Sequence, residues 1–184
     1  INYVELKGSS QCKSSVMLAA LLTNGETKLK CKPSRNHTEL LFKYLKIPIK
    51  IKKRKNFEII KVKGRQNFKA FNYNIPSDIS SSAFFIVLTI LSKNSKLILE
   101  KVGVNKSRAG VIDVLNKMGA KIVLKNKKNY KGEKIADIHV RSSKTLKSIN
   151  CPSKLNSSAI DEFLIIFLAA AKAKGVSYFK NLDE

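Results

Sequence analysis

Two groups of polar residues in this sequence are suited to holding a phosphate. Ser9, Ser10 and Gln11 stand at the start of a predicted helix, where free backbone N–H groups and the positive end of the helix dipole favour an anion. Ser34 and Arg35 form the second group, because the planar guanidinium of an arginine matches a phosphate. Each group has a simpler interpretation, in which the serine caps a helix and the charge faces solvent.

Asp161 is the residue best suited to proton transfer. It stands between Ile160 and the apolar run 163–171, where a bare carboxylate is unfavourable unless it has a partner. A carboxylate at such a place can accept a proton from a hydroxyl group as that hydroxyl attacks. The alternative is an aspartate that is stabilised by the dipole of the helix that follows. We expect the neighbouring Glu162 to be a solvated or capping residue.

An internal repeat provides the elements that must position these residues. Each of three segments begins with residues that cap a helix, continues as an apolar helix of about three turns, and ends at a Gly or Asn before a short strand. We call the units that begin at residues 6, 75 and 155 copy 1, copy 2 and copy 3. The helix start and its stop are 14 positions apart in every copy: Gln11 to Gly25, Ser80 to Asn94 and Asp161 to Gly175. Such matches in phase indicate a repeated structural unit.

The first two copies continue alike. Ser34-Arg35 and Ser107-Arg108 each precede an amphipathic helix, and these helices are predicted at 38–45 and 109–118. Two strands then close each unit, at 47–52 with 57–62 in copy 1 and at 121–124 with 136–141 in copy 2. The order β-α-β-α-β-β is typical of an α/β fold. Copy 3 ends after its first helix and strand, so we expect an internal piece of a longer protein.

The composition disfavours several classes of protein. With 184 residues, 43% of them apolar and 27% charged, the chain has enough apolar content for one globular core or two small ones. Its apolar runs are too short to span a bilayer, and we find no export leader. The three cysteines are far apart, which disfavours a disulfide framework or a zinc site. We therefore expect a cytoplasmic protein with no membrane partner.

The net charge of +23 creates a positive field that attracts polyanions. Lysine far outnumbers arginine, however, and the lysines are spread along the chain. Arginine is the residue that recognises bases and phosphates through two parallel hydrogen bonds. We expect generic affinity for polyanions and no specific nucleic-acid partner.

Five motifs in order carry a resemblance to a known family: GSSQCKSSVMLAALL, PSRNHTELL, PSDISSSAFF, VGVNKSRAGVIDVLNKMGAKI and AIDEFLIIFLAAAKAKG. They resemble the successive signatures of the bacterial 5-enolpyruvylshikimate-3-phosphate synthases, and they cover nearly the whole chain. The resemblance implies transfer of the enolpyruvyl group of phosphoenolpyruvate to the 5-hydroxyl of shikimate 3-phosphate, with release of phosphate. This reaction belongs to the shikimate pathway, which leads to chorismate and the aromatic amino acids. No metal or organic cofactor is implied.

The resemblance also implies a fold and an organisation into domains. The family fold is an inside-out α/β barrel of two domains, each made of three β-α-β-α-β-β units, which close on the substrate. Residues 1–75 would belong to one domain and residues 76–184 to the second, and both domains would be incomplete. The complete protein would be a monomer. Asp78 with Ser80, Ser81 and Ser82, and Asn105 with Arg108, would have structural roles at the domain hinge and in helix capping.

The resemblance assigns the binding of shikimate 3-phosphate to six residues: Ser9, Ser10, Gln11, Ser34, Arg35 and Asp161. Gln11 would also lie near phosphoenolpyruvate, and Asp161 would be the catalytic base that contacts the ring hydroxyls. His37 is expected to be a structural neighbour of this site.

Part of the family's machinery lies outside these 184 residues. The family has a Lys-Ser pair near its start, a Gly-Asn-Ala-Gly-Thr loop, and a Lys-Glu-Ser-Asp-Arg segment soon after the position that matches Glu184, and none of these three segments lies within this chain. We therefore expect the isolated chain to be inactive.

Two other functions stay open from the sequence. One is a basic α/β module that holds polyanions at its helix N-termini without chemistry; its affinity would fall steeply with salt. The other is the related transferase that acts on UDP-N-acetylglucosamine. That enzyme shares the fold but lacks the Ser-Ser-Gln and Ser-Arg-Asn-His-Thr-Glu stretches.

Overall fold

In the computed structural model, which describes residues 1–182, the chain divides into two compact units. Unit 1 comprises Ile1–Tyr73 with Lys131–Glu133, and unit 2 comprises Asn74–Tyr130 with the residues from Lys134 onward. The elements of unit 1 are β1 (Asn2–Glu5), α1 (Ser10–Ala20), β2 (Glu26–Cys31), α2 (His37–Tyr44), β3 (Ile49–Lys53) and β4 (Glu58–Lys63). The order of elements predicted for copy 1 is thereby confirmed.

The sheet of unit 1 has the strand order β1-β2-β4-β3. β1 runs parallel to β2, and the other two neighbouring pairs are antiparallel. Alternate residues of β2 and β4 are buried, as expected for strands with one covered face. These residues form one core with α1, α2 and the loop after α2: Met17, Ala20, Leu29, Cys31, Phe42, Ile47, Ile60 and Val62.

Unit 2 contains the rest of the elements in the described residues, apart from Glu133, the first residue of β7. They are α3 (Ile79–Leu91), β5 (Lys96–Gly103), α4 (Gly110–Lys117), β6 (Lys121–Tyr130), β7 (Glu133–Arg141), α5 (Asn156–Ala159) and α6 (Phe163–Ala171), with two 3-10 turns at Ser153–Leu155 and Ile160–Glu162. The sheet order is β5-β7-β6, and β5 is antiparallel to β7. Apolar residues of α3, α4 and α6 pack with those of the sheet in one core. No helix in residues 1–182 has the length and apolar character that a membrane span needs.

The largest difference from the predicted elements lies in copy 3. Residues 172–182, where a strand is predicted, form no strand in the structure. Lys174 and Tyr178 make only isolated bridges, to Lys147 and Asn150. A strand needs a continuous ladder of hydrogen bonds with its neighbour, and two separate bridges do not provide one.

Candidate active site

The start of α1 carries the first group of predicted site residues. Ser9 is the N-cap, and its Oγ accepts a hydrogen bond of 3.2 Å from the backbone N–H of Cys12. Ser10 and Gln11 are the first residues of the helix; Ser10 is half-buried and Gln11 is exposed. An α-helix leaves its first N–H groups without partners inside the helix. This helix start can therefore donate hydrogen bonds to an anion.

The loop before α1 is held in place by Glu5. This residue is 6% exposed, and its carboxylate accepts hydrogen bonds from the backbone N–H groups of Lys7 and Gly8, at 2.7 and 2.8 Å. Gly8 has a φ of +85°, a conformation that only glycine adopts readily. The hydrogen bonds to Glu5 and the backbone conformation of Gly8 therefore fix the loop before α1.

Ser34 and Arg35 lie in the loop between β2 and α2. Helix α2 begins at His37, one residue before its predicted start at residue 38, and its N-cap residue is Asn36. Ser34 is therefore not a helix cap. Its Oγ is buried and has no hydrogen-bond partner among the described residues. Such an atom is costly to bury unless something supplies the missing bond.

The two loops lie side by side at one edge of unit 1. β1 and β2 are parallel neighbours, so the chain leaves both strands at the same edge of the sheet. A side-chain carbon added at Gly8 would lie 3.7 Å from Cβ of Lys32, which is ordinary contact distance between the loops. The structure therefore brings the segments that carry Ser9–Gln11 and Ser34–Arg35 together.

A buried ion pair links α1 to α2, and the sequence analysis missed it. Nζ of Lys13 lies 2.7 Å from Oε1 of Glu39, and the two side chains are 0% and 3% exposed. Beside this pair, the hydroxyl groups of Ser14 and Thr38 are 2.7 Å apart and share a hydrogen bond. The signal was present in the sequence, because Lys13 lies four residues before the buried Met17 on the covered face of α1.

His37 is in contact with a carboxylate of unit 1, and its role as a structural neighbour of the site stays a prediction. Its Nδ1 lies 2.5 Å from Oε1 of Glu133, a residue that belongs to unit 1. Its Nε2 is buried and has no hydrogen-bond partner among the described residues. The histidine is thus held by a carboxylate at one ring nitrogen.

In unit 2, Asp161 lies in the 3-10 turn just before α6 and is exposed. Glu162 is not solvated, because it is only 3% exposed; it is the N-cap residue of α6, but its side chain makes no capping hydrogen bond to that helix. The carboxylate of Glu162 accepts a short hydrogen bond from the hydroxyl of Ser80, at the start of α3. The 3-10 turn therefore directs the side chain of Glu162 into the protein, where it links the turn to the start of α3.

Arg108 extends this contact into a network at the start of α3. Its Nη2 donates hydrogen bonds to Oδ1 of Asp78 at 2.9 Å and to Oγ of Ser80 at 3.0 Å. Asp78 caps α3, since its Oδ2 accepts a hydrogen bond of 2.9 Å from the N–H of Ser81. The predicted capping role is confirmed for Asp78, whereas the N-cap of α4 is Ala109 and no side chain of the described residues caps that helix, so the capping role is not confirmed for Asn105 and Arg108. The hinge role stays a prediction.

The charge state of Asp78 follows from these contacts. Partial burial raises the pKa of Asp78, but the hydrogen bonds from Ser81 and the charge of Arg108 outweigh this effect. The pKa therefore lies below its usual value. Asp78 is an anion at neutral pH, bound to an arginine at a helix N-terminus.

The described residues contain no group of three or more His, Cys, Asp or Glu side chains that could share a metal ion. The five residues predicted to bind at this edge of unit 1, Ser9, Ser10, Gln11, Ser34 and Arg35, carry hydroxyl, amide and guanidinium groups. They are donors for an anion rather than ligands for a cation.

The fold identifies the class of protein. The crystal structure of the enolpyruvyl transferase NikO from Streptomyces tendae covers 95% of this chain with a TM-score of 0.62 at 15% identity, which supports the fold alone. The EPSP synthase from Acinetobacter baumannii matches 96% of the chain with a TM-score of 0.85 and 39% identity. The chain therefore has the α/β fold of the enolpyruvyl transferases, as predicted.

The sequence comparisons give the family. The family model for EPSP synthase (3-phosphoshikimate 1-carboxyvinyltransferase) matches residues 1–184, and the chain belongs to this family. The enzymes of that name from Hydrogenovibrio crunogenus and Ruthia magnifica are 40% and 41% identical over 100% of the chain. The chain spans 42% and 41% of their lengths. The resemblance drawn from five motifs is confirmed, and the alternative of a UDP-N-acetylglucosamine transferase is the weaker one.

Proposed function

We propose that this chain is part of an enzyme that transfers the enolpyruvyl group from phosphoenolpyruvate to the 5-hydroxyl of shikimate 3-phosphate. Ser9, Ser10 and Gln11 bind shikimate 3-phosphate together with the second group, Ser34 and Arg35. Gln11 also faces phosphoenolpyruvate. Membership of the EPSP synthase family supports this proposal.

The observation that carries the proposal is a difference between copy 1 and copy 2. In the alignment of the copies, Ser9 matches Asp78 and Arg35 matches Arg108. In copy 2, the carboxylate of Asp78 lies at the helix start and binds Arg108. Copy 1 has a neutral serine in place of that carboxylate. A phosphate from a substrate would supply the negative charge that copy 2 supplies from its own chain.

The unpaired hydroxyl of Ser34 supports the same assignment. The described residues offer no acceptor for the hydroxyl of Ser34. A phosphate oxygen at this edge of unit 1 would accept a hydrogen bond from that hydroxyl. The neighbouring Arg35 would add charge-assisted hydrogen bonds to the same group. Neither side chain needs to bind a metal for this purpose.

Asp161 is the proposed general base. In the proposed reaction the 5-oxygen of shikimate 3-phosphate bonds to C2 of phosphoenolpyruvate, and Asp161 takes the hydroxyl proton. In the same addition, the electron pair of the double bond takes up a proton at C3. When C3 loses that proton again, the double bond re-forms, the bond from C2 to the phosphate oxygen breaks, and phosphate leaves. We also propose domain limits at 1–75 and 76–184, a monomer, and a cytoplasmic location suited to the free cysteines.

Binding is tested by calorimetric titration of the chain with shikimate 3-phosphate. We expect Arg35→Ala to weaken binding by about tenfold or more, because it removes a charge-assisted bond. Arg54→Ala, in the turn after β3, is the matched control and should leave the affinity unchanged. A polyanion module would instead ignore shikimate 3-phosphate and bind heparin with a steep dependence on salt.

Catalysis is tested in a chimera, in which this chain replaces the matching segment of the Acinetobacter baumannii EPSP synthase. We expect the chimera to release phosphate from the two substrates and Asp161→Asn to slow it by roughly 10²–10⁴-fold. Asp113→Asn, an exposed residue of α4, is the control. Full turnover by Asp161→Asn would exclude this residue as the base, and turnover by the isolated chain would contradict its expected inactivity.

A further inference from the structure

The ion pair between Lys13 and Glu39 is unusual in its burial. Both side chains are almost completely removed from solvent, with the charged atoms 2.7 Å apart. Apart from this contact, Nζ of Lys13 and Oε2 of Glu39 have no hydrogen-bond partner among the described residues. Two charges have therefore been taken out of water with few bonds to compensate them.

Stability does not account for such a pair. Removing two charges from water carries a desolvation penalty that their attraction often fails to recover. Buried polar atoms without partners add to that penalty. Well-packed apolar residues of similar volume would often serve the fold as well.

Copy 2 gives an internal control for this argument. In the alignment of the copies, Lys13 matches Ser82 and Glu39 matches Ile112. Both are buried, at 6% and 5% exposure. From its first helix onward, copy 2 has the same order of helices and strands as copy 1, with a serine and an isoleucine at these positions. The repeated unit therefore does not require an ion pair here.

We propose that Lys13 and Glu39 are positioning residues for the shikimate 3-phosphate site, an inference that rests on the proposed function. Lys13 comes two residues after Gln11, and Glu39 comes four residues after Arg35. The pair, with the Ser14–Thr38 hydrogen bond beside it, ties the beginning of α1 to the beginning of α2. It thereby holds the donors of the two loops in one arrangement, which substrate binding requires.

A directional link explains why charges are used. An apolar contact has no preferred geometry, so two helix starts joined by it can shift against each other at little cost. A buried charged pair is satisfied only when its two atoms meet. Phosphate donors must be held within a fraction of an ångström to act together.

The decisive variant gives copy 1 the residues of copy 2: Lys13→Ser with Glu39→Ile. We expect it to fold, with the circular dichroism of the unaltered chain, and to bind shikimate 3-phosphate about tenfold or more weakly. The matched control is Ser82→Ala with Ile112→Val in unit 2, which should leave affinity unchanged. The charge-reversed pair, Lys13→Glu with Glu39→Lys, keeps the link and should restore most of the affinity.

A second measurement needs no ligand. The backbone amides of Lys13 and Leu40 donate to the carbonyl groups of Ser9 and Asn36, and so report the two helix starts. In the copy 2 variant, these amides should exchange with solvent about tenfold faster, while the amide of Ile60 in the core is unchanged. The control variant should leave all three amides as they were.

The outcomes separate this inference from the proposed function. Unchanged exchange at Lys13 and Leu40 with unchanged affinity would overturn the positioning role. A copy 2 variant that fails to fold would also overturn it, because the pair would then be a requirement of the fold. If the unaltered chain ignores shikimate 3-phosphate but the exchange at both helix starts changes as expected, the proposed function fails and the positioning of the helix starts stands.

Discussion

Copy 1 and copy 2 use their charges in opposite ways at the beginnings of their helices. In copy 1 the paired charges, Lys13 and Glu39, are inside the core, and the residue that caps α1 is a neutral serine. In copy 2 the core positions are Ser82 and Ile112, and the charges of Asp78 and Arg108 meet at the helix cap. Copy 1 and copy 2 have the same order of elements from their first helix onward. They differ in whether the chain itself places an anionic side chain at the start of that helix.

This difference shows what a repeated unit leaves free to vary. The apolar positions that build the helices and strands are shared, because they bury the core of each unit. Polar residues at the helix starts are under no such demand and can specialise. Copy 2 places a carboxylate of its own chain, that of Asp78, at the start of α3. The start of α1 in copy 1 has no acidic side chain and can donate hydrogen bonds to an external phosphate.

The largest predicted effect comes from removing one partner of the buried ion pair between Lys13 and Glu39. Glu39→Leu leaves the charge of Lys13 buried without its partner, so we expect the free energy of unfolding to fall by about 3–5 kcal/mol. Ile112→Val, at the matching position of copy 2, should lower it by about 0.5–1.5 kcal/mol. Urea denaturation followed by circular dichroism measures both. Equal losses would mean that the ion pair is energetically no different from its apolar counterpart.

A smaller effect is expected from the partly exposed contacts of Arg108 at the start of α3 in copy 2. Arg108→Ala removes charge-assisted hydrogen bonds to Asp78 and Ser80, so we expect a loss of about 1.5–3 kcal/mol in the free energy of unfolding. Lys106→Ala, two residues earlier and exposed, should change it by less than about 0.5 kcal/mol. A loss no larger for Arg108→Ala than for Lys106→Ala would show that the network adds nothing to stability.

The two helix caps should respond differently to acid. Ser9→Ala removes a cap and should lower the free energy of unfolding by about 1 kcal/mol at pH 7, and Asp78→Ala, which removes both a cap and a partner of Arg108, should lower it by more. The pKa of Asp78 is lowered in the folded state, so its charge contributes fully above about pH 4 and this contribution is lost as the pH falls through the folded-state pKa.

Denaturation of both variants over a series of pH values tests this expectation. The deficit of Asp78→Ala should shrink in acid, whereas the deficit of Ser9→Ala should stay constant because serine does not titrate. A constant deficit for Asp78→Ala would mean that the charge is not what stabilises α3.

The smallest effect concerns the cysteines. Cys12 is exposed in the first turn of α1, whereas burial raises the pKa of the Cys31 thiol to about 11 and also raises that of Cys151. Near neutral pH, Ellman's reagent should modify Cys12 first and the other two only on unfolding. Shikimate 3-phosphate should slow the reaction of Cys12, because this residue follows Gln11. Equal reactivity of the three thiols in the folded chain would contradict the assigned burial.

Much of the fold was predictable because its signals are local. The caps of α1 and α3 are next to the helices that they stabilise, and the structure has both at the predicted residues. Periodic apolar residues likewise indicated β4 and α4 to within two residues of their bounds. The strand predicted in copy 3 failed, because a strand depends on a neighbour that its own sequence does not describe.

The sequence by itself determined the repeated unit, the class of fold, the family and the residue types at the helix starts, since each depends on spacing along the chain. The tertiary structure decided which of those residues share an environment. It buried Glu162 against Ser80, left the hydroxyl of Ser34 without a partner among the described residues, and joined Lys13 to Glu39 across two helices. Local spacing places Lys13 on the covered face of α1, but the partners of Lys13 and Glu162 lie in segments that are distant in sequence, so no local pattern could have given the pairing.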